Sequence, residues 1–473
     1  MTAVYPKFST PGAAVAHYKI KERAGYDLAP LQVEDLVSAA PWARVKWFYE
    51  VGVGKTVCST VHALMRGHHT QLVIVPPILI PQWGKWLRLI DPKGGVLEYC
   101  GTPTQRRAMK LGALRWTIMS HAIFRDDFPR VMQEMKKLAP NLLVDEAHAL
   151  KNSGSHLFRK VNLLSAGADL QLLTGTPTSK PGDVYAYVKL TTPGVYRSWG
   201  HFENLHVAQR DHFGQVTEWA NLDLARNNLN MQAYRRTKEE MFPGVTFPRY
   251  ETMHYRLSAQ HLRLYNRLMD EQMLLLPDGD KIDATTAQRL YHAAQQIIVN
   301  LDHYSGKEDD RAAVYDLIDH TIDSTDCMNV GKSKLIIWTY YTKTSSAVLG
   351  YLSDFGAVGA YSGANSAKSV KSFLEDPNCR ILVAQPMSAG LGLEPQHVCW
   401  ENLFVEYSTV PMHFTQSVGR TDRKGQKHIP TMRVACAEDT IQVALLQRLL
   451  HNGDLVQQTE GLPKSIRQAL RGL

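Results

Sequence analysis

In the stretch YEVGVGKTVCST (49–60), Gly52, Gly54, Lys55 and Thr56 have the types and spacing of a loop that cradles nucleotide phosphates. Backbone N–H groups of such a loop, with the N-terminus of the helix it opens, bind phosphate oxygens. Lys55 would bring a point charge to the β- and γ-phosphates, and the Thr56 hydroxyl a ligand for Mg2+. The general rule asks for another Gly where Tyr49 stands. Taken alone, the run reads equally as a glycine-rich turn with an incidental lysine.

Three further stretches carry chemistry. In LLVDEAHALKN (142–152), three apolar residues run straight into Asp145 and Glu146. Two carboxylates at the C-terminal end of a strand lie where open α/β sheets place their ligands. Asp145 would hold Mg2+ through its water shell, and Glu146 would polarise an attacking water. The plainer reading is a helix start with acidic residues favoured by the dipole. In LLTGTPTSK (172–180), Thr174 and Thr176 end a buried strand and could report the state of the γ-phosphate. In QSVGRTDRKGQ (416–426), Arg420 and Arg423 lie three apart, on one face if the run is helical. Paired arginines suit a γ-phosphate, although most basic runs are solvated helix ends.

Positioning these groups requires strands that alternate with crossover helices. RVKWFY (44–49), QLVIVP (71–76), WTIM (116–119), NLLVDE (141–146) and LQLLTG (170–175) read as buried strands of one parallel layer. KLIIWTYY (334–341), AVGAYSG (357–363), RILVAQ (380–385), NLFVEY (402–407) and TMRVAC (431–436) read as a second. Between them, 258–276 and 284–301 have helical period, separated by the turn PDGD (277–280). No strand-rich pattern is evident there. Trp83 and Trp338 read as core aromatics rather than nucleic-acid contacts, and RGHH (66–69) as an exposed loop.

A chain of 473 residues has room for several domains, and 44% hydrophobic with 21% charged residues is ordinary for a core-forming protein. The net charge of +8 mildly favours polyanionic partners. Six scattered cysteines with no Cys-x-x-Cys pair argue against a zinc knuckle or a disulfide framework, and for a reducing compartment. The N-terminus lacks the apolar core of a secretory signal, and LVIVPPILI (72–80) is too short to span a bilayer. The expectation is a soluble, cytoplasmic protein.

The four stretches, in this order, resemble the motifs of superfamily-two helicases, most closely the Swi/Snf-like branch of DNA-dependent ATPases. That branch writes its first motif Asp-Glu-x-Gly-x-Gly-Lys-Thr, which YEVGVGKT matches except at Tyr49. LAPLQ (28–32) resembles its Leu-x-Pro-x-Gln, which implies that Gln32 reads the adenine edge. VIVPPILIPQW (73–83) resembles motif Ia, and YCGTPTQRR (99–107) with TIMSHAIFRDD (117–127) the region facing the nucleic-acid backbone. YRRTKEEMFPGVTFP (234–248) resembles the Arg-Arg-x-Lys run. IIWTYYTK (336–343), YSG (361–363) and QPMSAGLGLEP (385–395) resemble motifs IV, IVa and V, and QSVGRTDRKGQ matches motif VI nearly letter for letter.

The resemblance implies an α/β fold of two RecA-like parallel-sheet lobes in tandem with a helical insertion between them. The expected segments are an N-terminal extension (1–24), the ATP-binding lobe (25–195), a mainly helical insertion (196–325) and the second lobe (326–473). It implies ATP and Mg2+ as cofactors, bound by Gln32, Gly52, Gly54, Lys55, Thr56, Gly392 and Gln416, with Thr56 and Asp145 on the metal. It implies catalysis by Lys55, Asp145, Glu146, Arg420 and Arg423, and nucleic-acid contacts from Ser120, Arg235, Arg236, Tyr340, Ser362 and Met387. The implied partner is double-stranded DNA, and the implied activity an ATP-driven translocase serving repair, recombination or replication-fork processing. A strand-separating helicase and a catalytically silent clamp are the alternatives. In motif V, Ala389 and Glu394 stand where the branch has glycine and asparagine. No appended chromatin-reading module is expected, so the chain resembles a minimal motor of bacterial or bacteriophage type.

Overall fold

The computed structural model describes residues 5–460 apart from 213, 215, 243–247, 276–280, 306–310, 362–365, 387–392, 409 and 424. The chain divides into two compact units, Met1–Val245 and Thr246–Asp454 forming their main bodies.

In the first unit, β1 (Arg44–Trp47), β2 (Gln71–Val75), β3 (Val96–Glu98), β4 (Trp116–Ser120), β5 (Asn141–Asp145) and β6 (Leu170–Leu173) form one sheet. A hairpin, β7 (Val207–Arg210) with β8 (Val216–Trp219), stands apart, and the two-residue β9 (Ala233–Tyr234) completes the sheet. The order is β3-β4-β2-β5-β6-β1-β9, and every pair is parallel. β2, β4 and β5 are buried along their whole length, as continuous apolar runs covered by helices on both faces must be.

The second unit holds β10 (Arg249–Tyr255), a hairpin of β11 (Met273–Leu275) and β12 (Lys281–Asp283), β13 (Lys334–Trp338), β14 (Val358–Ala360), β15 (Ile381–Ala384), β16 (Cys399–Phe404) and β17 (Thr431–Ala437). Its parallel sheet runs β10-β17-β16-β13-β15-β14. The two parallel α/β layers thus lie where the apolar runs place them.

The segment 196–325, expected as a mainly helical insertion, carries seven helices among its described residues and is divided between the two units. Its first part gives β9 to the first sheet, and its later part gives the seven-residue β10 to the edge of the second. β9 is too short to leave a pattern. β10, RYETMHY, carries charge because an edge strand is only half covered. The helix expected over 258–276 stops at Glu271, where Gln272 turns left-handed (φ 52°) and the chain enters β11. The expected turn 277–280 lies outside the described residues. Of residues 1–24, expected as an extension, the described part (5–24) belongs to the first unit. Ala14, Tyr18 and Ile20 are buried there, and the Tyr18 hydroxyl accepts a 2.7 Å bond from Arg115.

Candidate nucleotide site

The phosphate-type loop leaves β1 and enters the helix Lys55–Arg66. Gly52 (φ 86°) and Gly54 (φ 98°) take backbone conformations that side chains resist, and Gly54 caps the helix. A Cβ on Gly54 would lie 2.4 Å from the Gln32 amide nitrogen, so glycine is required twice over. The first N–H groups of the helix have no intrahelical partner and point into the loop, an anion site by construction. Lys55 Nζ donates to the carbonyls of Tyr49 (2.9 Å) and Glu50 (3.1 Å), which holds the ammonium over the loop.

Between β1 and β5 lies β6, whose end carries Thr174 and Gly175. A Cβ on Gly175 would sit 3.2 Å from the Tyr49 carbonyl oxygen, 3.3 Å from Val51 N and 3.4 Å from Lys55 Nζ. The strand-end glycine therefore packs directly on the loop. At the end of β5, Asp145 Oδ2 accepts from Trp83 Nε1 (2.8 Å) and Oδ1 from the Glu146 N–H (2.9 Å). Burial, with Glu146 beside it, raises the Asp145 carboxyl above the usual carboxylate range, while the Trp83 bond and the Lys55 charge pull it back. Glu146 has a left-handed backbone (φ 50°), strain of a kind that collects at functional sites. Its Oε2 lies 3.1 Å from His148 Nδ1, which lies 3.5 Å from Thr174 Oγ1. Thr174 Oγ1 also accepts from the Thr176 N–H at 3.2 Å. His148 thus joins the ends of β5 and β6.

No group of three or more His, Cys, Asp or Glu side chains among the described residues forms a metal cage. A buried, hydrogen-bonded carboxylate facing a loop lysine fits a cation that keeps its waters and leans on phosphate oxygens, as Mg2+ does.

Other residues are placed less as expected. Gln32 is 1% exposed. Its Oε1 accepts from Ala29 N (3.0 Å), and its Nε2 donates to Val53 O (2.9 Å) and the Tyr26 hydroxyl (3.0 Å). The amide nitrogen braces the loop and the amide oxygen caps its own helix, so reading an adenine edge would require exchanging these bonds. Ser120 is buried, and its hydroxyl caps the helix His121–Asp126 through Ile123 N. Arg235 lies with its guanidinium carbon 5.0 Å from the Phe48 ring centroid. Arg236 is bound bidentately by Asp35, through Nε (2.9 Å) and Nη2 (2.5 Å).

In the second unit, Gln416 and Arg420 lie one turn apart on the helix Pro411–Thr421, both buried. Arg423 does not share that helix face as expected. The helix ends at Thr421, and Gly425 (φ 94°) turns the chain. Gln426 Nε2 donates to the carbonyls of Thr421 and Cys399, both at 3.1 Å, and ties the helix end down. Arg423 Nη1 instead meets Glu394 Oε1 at 3.1 Å. Tyr340 is half-buried, with its backbone N–H on Glu406. Gly392, Ser362 and Met387 lie outside the described residues.

Sequence reading missed Asp35 and the bond from Trp83. Asp35 stands on the helix Pro30–Ala39, and its partners Tyr49 and Arg236 lie 14 and 201 residues away, so no local pattern marks it. Trp83 was legible only as core, since its burial hides a polar handle.

A glycine loop after β1 and an acidic pair at the end of β5, two strands away across β6, have the arrangement of a phosphate-loop nucleotide site. Residues 48–303 match the family described as SNF2-related domain, and the chain belongs to that family. It is similar to the Chromodomain-helicase-DNA-binding protein 1-like of Danio rerio, 22% identical over 431 residues (84% of this chain, 40% of that protein). It is also similar to the Lymphoid-specific helicase of Homo sapiens, 24% identical over 259 residues (50% of this chain, 31% of that protein). The chain thus spans well under half the length of these relatives. Among solved structures it is similar to the Sulfolobus solfataricus SWI2/SNF2 ATPase core in complex with dsDNA, at 16% identity and a TM-score of 0.43, covering 99% of this chain and 97% of that one.

Proposed function

We propose that the chain is a nucleic-acid-dependent ATPase that uses ATP and Mg2+ to move on or remodel double-stranded DNA. The observation that carries the reading is the gathering of Lys55, Gly175 and Asp145 at the ends of β1, β6 and β5, in a member of a family whose relatives bear the names helicase and DNA-binding.

In this reading the loop N–H groups and Lys55 orient the phosphates, and Thr56 and Asp145 hold the metal. Bound Mg2+ supplies charge compensation at the transferred phosphoryl group. Glu146, oriented by its left-handed backbone and by His148, accepts a proton from the attacking water at its carboxylate. Arg420 and Arg423 act on the γ-phosphate. Contacts along the DNA backbone would position the motor without reading bases. Repair, recombination or replication-fork processing is the setting we favour. No helix among the described residues is long and apolar enough to cross a membrane.

The test is steady-state ATP hydrolysis with no nucleic acid, duplex DNA, single-stranded DNA or RNA, beside Lys55→Ala. Duplex stimulation lost in the variant is the expected result. Stimulation by single strands or RNA alone would point to a strand-separating helicase, and no hydrolysis at all to a silent clamp.

A further inference from the structure

Tyr49 departs from the family pattern at a position where the branch has aspartate, and its side chain is fully buried. Its hydroxyl donates to Asp35 Oδ2 at 2.6 Å. The same carboxylate receives both the Nε and Nη2 of Arg236. Arg236 is 19% exposed and Asp35 7%, so this is a largely dry, charge-assisted junction of three side chains. A second carboxylate, Glu34, lies 3.8 Å from the same guanidinium but is mostly solvated.

The backbone repeats the connection. Phe48 N donates to Tyr234 O (2.8 Å), Glu50 N to Arg236 O (2.9 Å), and Glu50 Oε2 accepts from Lys238 N (2.8 Å). The Tyr49 carbonyl, fixed in this way, is one of the two that seat Lys55 Nζ. Aspartate at 49 would be too short to reach Asp35 and has no proton to donate when ionised. Tyrosine spans the gap as a neutral donor, and burial keeps its phenol un-ionised by raising it far above the ordinary value.

We propose that Asp35 and Arg236 are positioning residues of the nucleotide site, joined to Tyr49 in a clamp that sets the carbonyl holding Lys55. The inference rests on the nucleotide-binding reading, and it moves Arg236 from the expected nucleic-acid contacts to the phosphate loop.

The test is calorimetric titration of Mg·ADP into the wild type, Tyr49→Phe, Asp35→Asn, Arg236→Gln and the Tyr49→Phe/Arg236→Gln double variant. Thermal melting and the salt dependence of duplex binding are measured alongside. Tyr49→Phe, nearly isosteric, should weaken Mg·ADP roughly threefold, and Asp35→Asn or Arg236→Gln roughly tenfold. The double variant should be little worse than Arg236→Gln, because members of one junction are not additive. The salt slope should stay as in the wild type.

Should Arg236→Gln instead bind Mg·ADP normally and lower the salt slope by about one, Arg236 contacts DNA phosphate and the clamp is wrong. Full additivity would also overturn it, as would wild-type affinity in Tyr49→Phe, which is readable even if the charged variants fail to fold. A wild type that binds no Mg·ADP would overturn the nucleotide reading itself. Normal wild-type binding with unaffected variants overturns the clamp alone.

Discussion

Glu394 Oε1 and Arg423 Nη1 face each other at 3.1 Å, which engages an arginine that we propose acts on the γ-phosphate with a carboxylate where the resembling fifth motif has asparagine. Glu394 is half-exposed, and an ion pair of that kind is worth at most about 1 kcal/mol. Glu394→Gln should therefore raise the maximal rate of ATP hydrolysis, by no more than about fivefold, and leave the KM for ATP in place. A rate that falls would mean that the carboxylate orients Arg423 rather than competing for it.

Trp83 is buried and spends its only polar atom on Asp145. Trp83→Phe keeps most of the packing and removes the bond. The Mg2+ concentration for half-maximal hydrolysis should rise by about tenfold, the usual penalty for losing a group that orients a metal ligand. An unchanged magnesium dependence would reduce Trp83 to a core residue.

Gly175→Ala would press a methyl group on the Tyr49 carbonyl and Lys55 Nζ. The loop must yield by a few tenths of an ångström, so kcat/KM should drop roughly tenfold while the melting temperature barely moves. Equal activity in wild type and variant would show that the end of β6 has slack.

Lys46 is fully buried in β1, with Nζ on Thr191 Oγ1 at 2.8 Å. Burial lowers its pKa to about 7, and the Arg235 charge adds to the effect. In the unfolded chain a lysine titrates near 10.4. Between pH 7 and 10 the unfolded state thus holds a proton that the folded state has shed, and stability rises with pH, by up to about 1.4 kcal/mol per unit. Urea midpoints at pH 7 and 9 should show the rise in the wild type and its loss in Lys46→Met. Parallel behaviour of the two proteins would exclude Lys46 as its source.

The order of motifs and the two parallel layers were legible in the amino-acid sequence, because strands buried on both faces are continuous apolar runs and the loop glycines answer to local backbone geometry. The acidic pair was legible for the same reason, being set at the end of such a run. Three things were decided only by tertiary structure. Edge strands β9 and β10 carry too little apolar pattern to be seen before their partners are in place. The helix end that separates Arg423 from Arg420 depends on Gln426 reaching the Cys399 carbonyl, 27 residues away in the chain. The partners of Tyr49, Asp145 and Arg236 come from 14, 62 and 201 residues away, and side-chain pairing over such separations is fixed by the fold, not by any local preference.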